Sequence, residues 1–462
     1  MTTAPGPQFR RTRRRMRPAA LLTALVAASP AWALAPGQSG VQVTFHVSGA
    51  SDTAYAAALD SDGGVTLAGS ANSGASGALA RITAAGAIDT LFGTTLDGII
   101  KYNLAASLND NEHAMVRASD GHYAACGIYF SGATTATDFL TVLFKSDGTL
   151  ESTFNGGFAV TPYLTSGSGA VLFDQCNAVG VQSDGKVVSA GYTSEAGSNR
   201  IMVTRHTTAG ALDGTFAGGG KIAIDASLNV GADSVGQALI ILGNDKILLA
   251  GYAGGTLNHA QFLLMRLNAD GSPDSGFGSS GIVRTPIGGV TDIANAIALQ
   301  PDGRIVLAGS AVAADGRADF ALARYDSSGT LDTTTFNSPH GFVMTPIGPG
   351  EDIAYAVNVM PWGRILAAGA ARISTSASGT DIALAAYNAN GTLDKYFGNN
   401  GKVMAQLTMA ADEVIQALVT DVSHQHFWAV GAGVPSTDRD FMVLEFGLPD
   451  TIFRNGFEAP VP

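Results

Sequence analysis

The chain has 462 residues, a formal net charge of −12 and only 14% charged residues. Hydrophobic residues make up 46% of it and glycine numbers 58, which excludes a disordered chain and favours many short strands joined by tight turns. Basic residues cluster only near the N-terminus. We therefore expect no nucleic-acid partner.

Residues 1–33 are typical of a signal peptide. Six arginines within residues 10–17 precede an apolar stretch at 19–28 and a small-residue cleavage site at 31–33. The apolar stretch is too short to span a bilayer comfortably. We expect a secreted or periplasmic protein with no membrane span after signal cleavage; an uncleaved anchor is the alternative.

One unit repeats across residues 40–446. A glycine at the end of an apolar segment marks each copy, 58 to 64 residues after the previous one. The markers are Gly69, Gly127, Gly191, Gly251, Gly309, Gly369 and Gly431. Self-similarity at a fixed long period indicates a repeat architecture with seven units.

Each unit contains four strand-like segments. An Asp-Gly turn such as Asp302-Gly303 joins the first two segments, and a Gly-containing turn joins the last two. Four consecutive antiparallel strands repeated seven times predict an all-β fold, a seven-bladed β-propeller. An open β-solenoid is the alternative, but its coils are usually shorter than this unit.

The two ends of the repeat region complement each other. The seventh unit lacks a good fourth strand, whereas residues 40–44 near the N-terminus match the fourth strand at 281–285. We therefore predict that an N-terminal strand completes the last blade and closes the ring. Residues 447–462 form a C-terminal tail outside the repeats.

The repeat resembles the bacterial delta-60 repeat. The likeness lies in Gln182 to Gly191 and Gln300 to Gly309, followed by the Leu-Asp-x-x-Phe-Gly segment at 393–398. It covers nearly all of the chain after residue 33, but Asp60 replaces the expected Gln in the first unit. The resemblance implies a propeller-like secreted protein and no single activity.

The two cysteines, Cys126 and Cys176, leave two alternatives open. An exported chain meets an oxidising compartment, which favours a disulfide between them. Two buried free thiols are the other interpretation.

An aspartate recurs where the first strand of each unit begins. Counting back 17 residues from the marker glycines gives Asp52, Asp110, Asp174, Asp292 and Asp352, and insertions of one and two residues add Asp233 and Asp412. A ring of carboxylates at one mouth of the channel could hold a cation. We favour a structural role, in which each carboxylate accepts N–H groups of its own turn, because a part repeated in every blade is usually architectural.

Several turns before the fourth strand, including those at 268–274, 326–332 and 388–394, resemble short calcium loops in the spacing of their oxygens. They lack the downstream bidentate Glu, so we expect ordinary turns and no cofactor, with calcium as the alternative. The sequence contains no G-x-S-x-G nucleophile elbow, no H-E-x-x-H zinc-protease motif and no P-loop. The sequence thus predicts no catalytic residues.

These observations favour a non-enzymatic binding or structural scaffold that acts as a monomer on a protein or glycan partner. The alternative is an extracellular propeller hydrolase or lyase that acts on polysaccharide at a channel mouth. A cluster of His, Asp, Glu and Arg from several blades would favour that enzyme.

Overall fold

The computed structural model describes residues 42–447 except residues 74–75, 96, 105–110, 131–135, 164–172, 196, 229–231, 255–259, 373–378, 407–411, 422–425 and 434–438. The predicted signal peptide at 1–33 and nearly all of the tail at 447–462 therefore lie outside the described residues. A single 3-10 turn, Asn155–Gly157, is the helical element of the described chain. Within the described ranges, no helix has the length and apolar composition needed to cross a membrane.

The described chain forms seven four-stranded antiparallel sheets, the blades of a propeller. Blades 1 and 2 consist of β2 (Thr53–Leu59), β3 (Val65–Ala71), β4 (Ser76–Ile82), β5 (Ile99–Tyr102), β6 (Asn111–Arg117), β7 (Tyr123–Phe130), β8 (Thr137–Phe144) and β9 (Phe158–Thr161). Blades 3 and 4 consist of β10 (Asp174–Val181), β11 (Val187–Glu195), β12 (Ser198–His206), β13 (Lys221–Ile224), β14 (Ser234–Ile241), β15 (Ile247–Gly254), β16 (Ala260–Leu267) and β17 (Ile282–Thr285).

Blades 5 and 6 consist of β18 (Asp292–Leu299), β19 (Ile305–Val312), β20 (Ala318–Tyr325), β21 (Phe342–Thr345), β22 (Asp352–Val359), β23 (Ile365–Ala371), β24 (Asp381–Tyr387) and β25 (Lys402–Ala405). Blade 7 consists of β26 (Val414–Asp421), β27 (His426–Gly433), β28 (Asp440–Gly447) and the N-terminal β1 (Gln42–Phe45). The predicted seven-bladed all-β fold is confirmed.

The N-terminal strand closes the ring, as predicted. β1 pairs antiparallel with β28, and Phe45 lies opposite Phe441 with the ring centroids 5.7 Å apart. Beside this pair, the core of blade 7 meets that of blade 1, where Trp428 shares a buried cluster with Leu67. The strand therefore covers the edge that β28 would otherwise expose.

The marker glycines are required by a close approach between the first two strands of a blade. A Cβ atom at Gly309 would lie 1.9 Å from the backbone oxygen of Ile293, so no side chain fits there. The register of β18 against β19 shifts between Ala294 and Ala296, which leaves Asn295 as the extra residue of a β-bulge. The same shift occurs in the first strand of all seven blades.

In blades 3, 4 and 5, an arginine of the third strand holds the outer part of the blade together with the Asp and the Phe that follow that strand. In blade 5, Arg324 Nη2 lies 2.8 Å from Asp332 Oδ2, and its guanidinium packs over the ring of the buried Phe336, 4.8 Å from the centroid. Arg205 with Phe216 and Arg266 with Phe277 repeat this arrangement. These charged residues therefore serve the blades themselves.

The first strands run from one face of the ring to the other. They begin at the face that carries the variable loops before them, which we call the loop face. They end at the hairpin turns that lead to the second strands, on the opposite face, which we call the turn face. The direction of the first strands therefore determines the order of the lining side chains along the channel, from the loop face to the turn face.

Candidate functional site

The first strands of all seven blades surround a central cavity of about 530 Å³. Its volume falls in the range of ligand-binding pockets. Residues from β2, β6, β10, β14, β18, β22 and β26 line it, so each blade contributes to one shared site. The cavity is the candidate functional site.

The bulge residues of the seven first strands form a polar ring in this cavity, which we call the middle ring. Its members are half-buried, and each comes from a different blade. They are Tyr55, His113, Asn177, Gln237, Asn295, Tyr355 and Gln416. The repeat therefore keeps a polar side chain here but changes its type from blade to blade.

An amide network joins blades 2, 3 and 4 within the cavity. Gln175 Nε2 donates to Asn177 Oδ1 (2.8 Å) and lies 3.3 Å from His113 Nδ1. Asn177 Nδ2 donates to Gln237 Oε1 (3.0 Å) and to the backbone oxygen of Gly236 (2.9 Å). The Tyr192 hydroxyl donates to Gln175 Oε1 (3.1 Å), so the network is fixed at its outer end.

Some middle-ring residues also connect neighbouring blades. Asn295 Nδ2 donates to the backbone oxygen of Ala354 in the next blade (2.9 Å), as Asn177 does to that of Gly236. The ring of Tyr55 packs edge-on against the His113 imidazole, with centroids 5.4 Å apart. These contacts hold the polar atoms in place before any ligand arrives.

The described lining of the cavity is uncharged at neutral pH. Burial lowers the pKa of His113 to about 4, and burial raises the pKa of Tyr355. Among the described residues that line the cavity there is no Asp, Glu, Lys or Arg. The polar groups offered to a ligand are thus amides, hydroxyls and a neutral imidazole.

The six repeated aspartates that the structure describes lie at the loop face, at the start of the first strands, and four of them bind backbone N–H groups of nearby loops. Asp292 accepts from Ile287 N (2.7 Å) and Gly288 N (3.0 Å), and Asp352 accepts from the equivalent nitrogens of Ile347 and Gly348. Asp52 and Asp174 accept similar bonds, from Val47 N (2.8 Å) and Tyr163 N (2.7 Å). Burial raises the pKa of Asp174, Asp292 and Asp352.

Two of the predicted aspartates, Asp233 and Asp412, lie one residue before the position equivalent to Asp292. In blade 4 the residue equivalent to Asp292 is Ser234, and in blade 7 it is Glu413, both fully buried. Asp233 and Asp412 each lie one residue earlier and accept from Asn199 N (2.8 Å) and Thr380 N (3.0 Å) instead. Ser234 lies 17 residues before Gly251, as Asp292 does before Gly309, whereas Glu413 lies 18 residues before Gly431, so only the blade 7 hairpin has an extra residue.

Asp110, the remaining predicted position, lies outside the described residues. The structure therefore places six of the seven predicted aspartates, and it brings them to one face of the ring rather than into the cavity.

The two cysteines are joined by a disulfide, with Cα atoms 5.8 Å apart. Cys126 lies in β7 of blade 2 and Cys176 in β10 of blade 3, and both are fully buried. Cys176 stands between Gln175 and Asn177 in the sequence. The disulfide thus fixes the strand that carries the centre of the amide network.

The turns with calcium-like spacing use their oxygens within the turn. Asp270 Oδ1 accepts from the Ser272 hydroxyl (2.6 Å), and Asp326 Oδ1 accepts from that of Ser328 (2.6 Å). Asn390 Oδ1 accepts from the Thr392 hydroxyl (2.7 Å). In the described part of the chain, no three His, Cys, Asp or Glu side chains are grouped so as to hold a metal ion.

The middle ring was missed at the level of sequence. Ala294, Ala296 and Ala298 are the small residues on the buried side of the first strand. The position between Ala294 and Ala296 lies fourteen residues before the marker glycine in six units. In each of these units its residue is polar and lines the cavity. Reading that one position across the repeats supplies the missing signal.

Four segments of the chain match a protein-family model: residues 182–216, 242–277, 300–334 and 363–397. The family is described as "Domain of unknown function (DUF5122) beta-propeller". The chain carries β-propeller repeats. The matched segments of this propeller cover the second and third strands of blades 3 to 6. No curated protein matches the chain.

Several solved structures are similar to the propeller at low sequence identity. A catalytically inactive virginiamycin B lyase from Staphylococcus aureus with quinupristin is 12% identical in sequence. The match covers 89% of this chain and 100% of the lyase chain, with a TM-score of 0.42. Sqt1 from Chaetomium thermophilum shares 11% identity over 83% of this chain and 81% of its own, with a TM-score of 0.38. The polysaccharide lyase Uly1 shares 8% identity over 86% and 90%, with a TM-score of 0.45. At such identities the likeness concerns the fold alone.

Proposed function

We propose that this protein is an exported, non-enzymatic β-propeller that binds a neutral glycan in its central cavity. Export is supported by the sequence of residues 1–33, which is typical of a signal peptide. The disulfide between Cys126 and Cys176 agrees with an oxidising compartment.

The observation that carries the proposal is the asymmetry of the middle ring. Seven equivalent positions hold four residue types, Tyr, His, Asn and Gln, and every one of them can form hydrogen bonds. A purely architectural position would repeat one residue type, as the position of the aspartates at the loop face nearly does. A ring that differs in each blade offers a ligand an asymmetric pattern of donors and acceptors.

The chemistry of the ring supports a neutral, hydroxyl-rich ligand. Amide side chains donate and accept at once, which suits sugar hydroxyls, and tyrosine adds a flat apolar surface with a polar tip. A charged ligand would enter a cavity without an opposite charge on its described lining and would lose hydration without compensation. A neutral glycan therefore fits better than an acidic one.

The alternative, a hydrolase or lyase that acts on polysaccharide, receives less support. Glycoside hydrolysis commonly uses a pair of carboxyl groups, and the described lining contains none. A general base works best when its pKa lies near the working pH, whereas burial holds the pKa of His113 near 4. These features favour binding without turnover.

A glycan array probed with the exported protein tests the proposal. We expect binding to neutral glycans and weak or no binding to sialylated, sulfated or uronic-acid glycans. The same glycans, incubated with the protein and analysed by mass spectrometry, should return uncleaved. Binding confined to acidic glycans, or the release of shorter products, would overturn the proposal; binding to a protein alone would favour a scaffold for a protein partner.

The proposed export has its own test. The full chain, expressed with residues 1–33 in a bacterium that has a periplasm, should be recovered there with a new N-terminus near residue 34. Retention of the complete N-terminal segment in the membrane fraction would contradict a cleaved signal.

A further inference from the structure

We propose that the cavity selects a neutral saccharide whose inserted end carries a methyl group, as in a 6-deoxy sugar. The inference rests on the proposed function and concerns the part of the cavity beyond the middle ring. There the polar lining gives way to an apolar one.

Beyond the middle ring, the first strands of six blades contribute to the cavity lining an alanine and then the residue after it, two positions from the middle-ring residue. We call the residues at this level the apolar floor. In six blades they line the cavity, and all are apolar: Ala57, Met115, Leu239, Ile297, Val357 and Leu418.

The floor is continuous with the blade cores. Leu239 and Ile297 pack against the buried clusters of blades 3 to 5, and Val357 and Leu418 pack against those of blades 5 to 7. Their positions are thus set by the same packing that holds the blades. A group placed among them meets carbon atoms from nearly every side.

The order of the two levels follows from the direction of the first strands. Asp292 begins β18 at the loop face, Asn295 lies in the middle ring and Ile297 comes two residues further on. A ligand that enters from the loop face therefore passes the middle ring before it reaches the floor. Its leading group meets an apolar surface while the rest of the sugar meets amides and hydroxyls.

This arrangement discriminates against a leading hydroxymethyl group. A hydroxyl placed on the floor gives up its hydrogen bonds to water without protein partners, whereas a methyl group gains from leaving water. In sugars the two groups are related by one oxygen atom, because a 6-deoxy hexose carries CH3 where its parent carries CH2OH. Discrimination of this kind in an apolar pocket is at least about tenfold.

Titration calorimetry with two matched pairs of free sugars tests the inference. L-fucose differs from L-galactose, and L-rhamnose from L-mannose, only by the absence of the 6-hydroxyl. We expect at least one deoxy sugar to bind about tenfold more tightly than its parent. Equal affinities within both pairs, or tighter binding of the parents, would overturn the inference.

A pair of variants assigns the preference to the floor. Val357→Thr exchanges a floor methyl for a hydroxyl at nearly constant shape, and Val359→Thr makes the same exchange two residues later on β22, outside the described cavity lining. Both valines pack against the same core cluster. Val357→Thr should bring the affinity ratio close to one, whereas Val359→Thr should leave it unchanged. Loss of the ratio in both variants, or in neither, would contradict a role for the floor.

The outcomes separate this inference from the proposed function. If neutral sugars bind but the deoxy and parent forms bind alike, a neutral-glycan site stands and the methyl preference falls. If no neutral sugar binds by calorimetry or on the glycan array, both the inference and the proposed function fall.

Discussion

Two levels of the same first strands, only three residues apart in blade 5, show opposite behaviour across the repeats. At the loop face, Asp292 has a carboxylate counterpart in most described blades, and its oxygens accept N–H groups of the preceding turn. In the middle ring, Asn295 has a different counterpart in most blades, and these side chains line the cavity.

The exception at the loop face strengthens this contrast. Blade 4 has Ser234 in place of the aspartate, yet the Ser234 hydroxyl oxygen accepts from Ala226 N (3.0 Å). The residue changes while the contact to the turn stays the same. A position whose contact is kept in every described blade serves the scaffold. A position whose side chain varies and faces the cavity can provide specificity for a ligand.

The largest expected effect on stability comes from the disulfide, which joins blade 2 to the first strand of blade 3. It closes a loop with a sequence separation of 50 residues, and replacing both cysteines by alanine should lower the free energy of unfolding by about 4 kcal/mol. Denaturant unfolding of the wild type and the Cys126→Ala/Cys176→Ala variant checks this. A reductant should destabilise only the wild type; equal stability of the two proteins would contradict the prediction.

Lowering the pH should affect stability through two buried histidines, His113 of the middle ring and His206 of a blade. Burial lowers the pKa of both His113 and His206 to about 4. The unfolded chain takes up these protons near pH 6.5 and the folded chain only near pH 4, so the two histidines lower stability as pH falls through this window.

For the fully buried His206 this loss approaches about 3 kcal/mol at pH 4. The carboxyls of Asp138 and Asp319 act in the opposite sense, because burial raises the pKa of each to about 6. The measurement is therefore the difference in unfolding free energy between the wild type and His206→Gln, followed from pH 7 to pH 4. Glycan affinity should stay flat from pH 8 to pH 5, since His113 remains neutral; a marked change of affinity within this range would contradict the low pKa of His113.

A smaller effect tests the scaffold level directly. Asp292→Ala removes the acceptor of two backbone N–H groups and should lower the free energy of unfolding by about 2 kcal/mol. Asp292→Ser copies the solution of blade 4 and should recover most of this loss. Thermal denaturation compares the three proteins. A stable Asp292→Ala variant that loses glycan binding would reverse the roles of the two levels.

The sequence predicted the scaffold better than the site. The marker glycines revealed the blade count because a close approach of two strands admits no side chain there. The match between residues 40–44 and a fourth strand located the closing strand. Both signals are local and repeated, so they are visible without three-dimensional information.

The site escaped prediction because its signal is variation rather than repetition. Asn177 and Gln237 look unrelated until the register places them at equivalent bulges, where they form a hydrogen bond across two blades. The shift of Asp412 against Glu413 has a similar origin, since an extra residue in the blade 7 hairpin is invisible to counting. Cavity chemistry depends on such registers, and sequence spacing defines them only to within a residue or two.

The most direct test of the account exchanges two middle-ring amides for a side chain of similar size that lacks hydrogen bonds. Glycan affinity and thermal stability of Gln237→Leu/Gln416→Leu are compared with those of Gln261→Leu, which alters β16 of blade 4 outside the described cavity lining. We predict at least a tenfold loss of affinity in the double variant, with a melting temperature close to that of the wild type, and full affinity in the control. Unchanged glycan affinity in the double variant would contradict the assignment of the middle ring as the binding site.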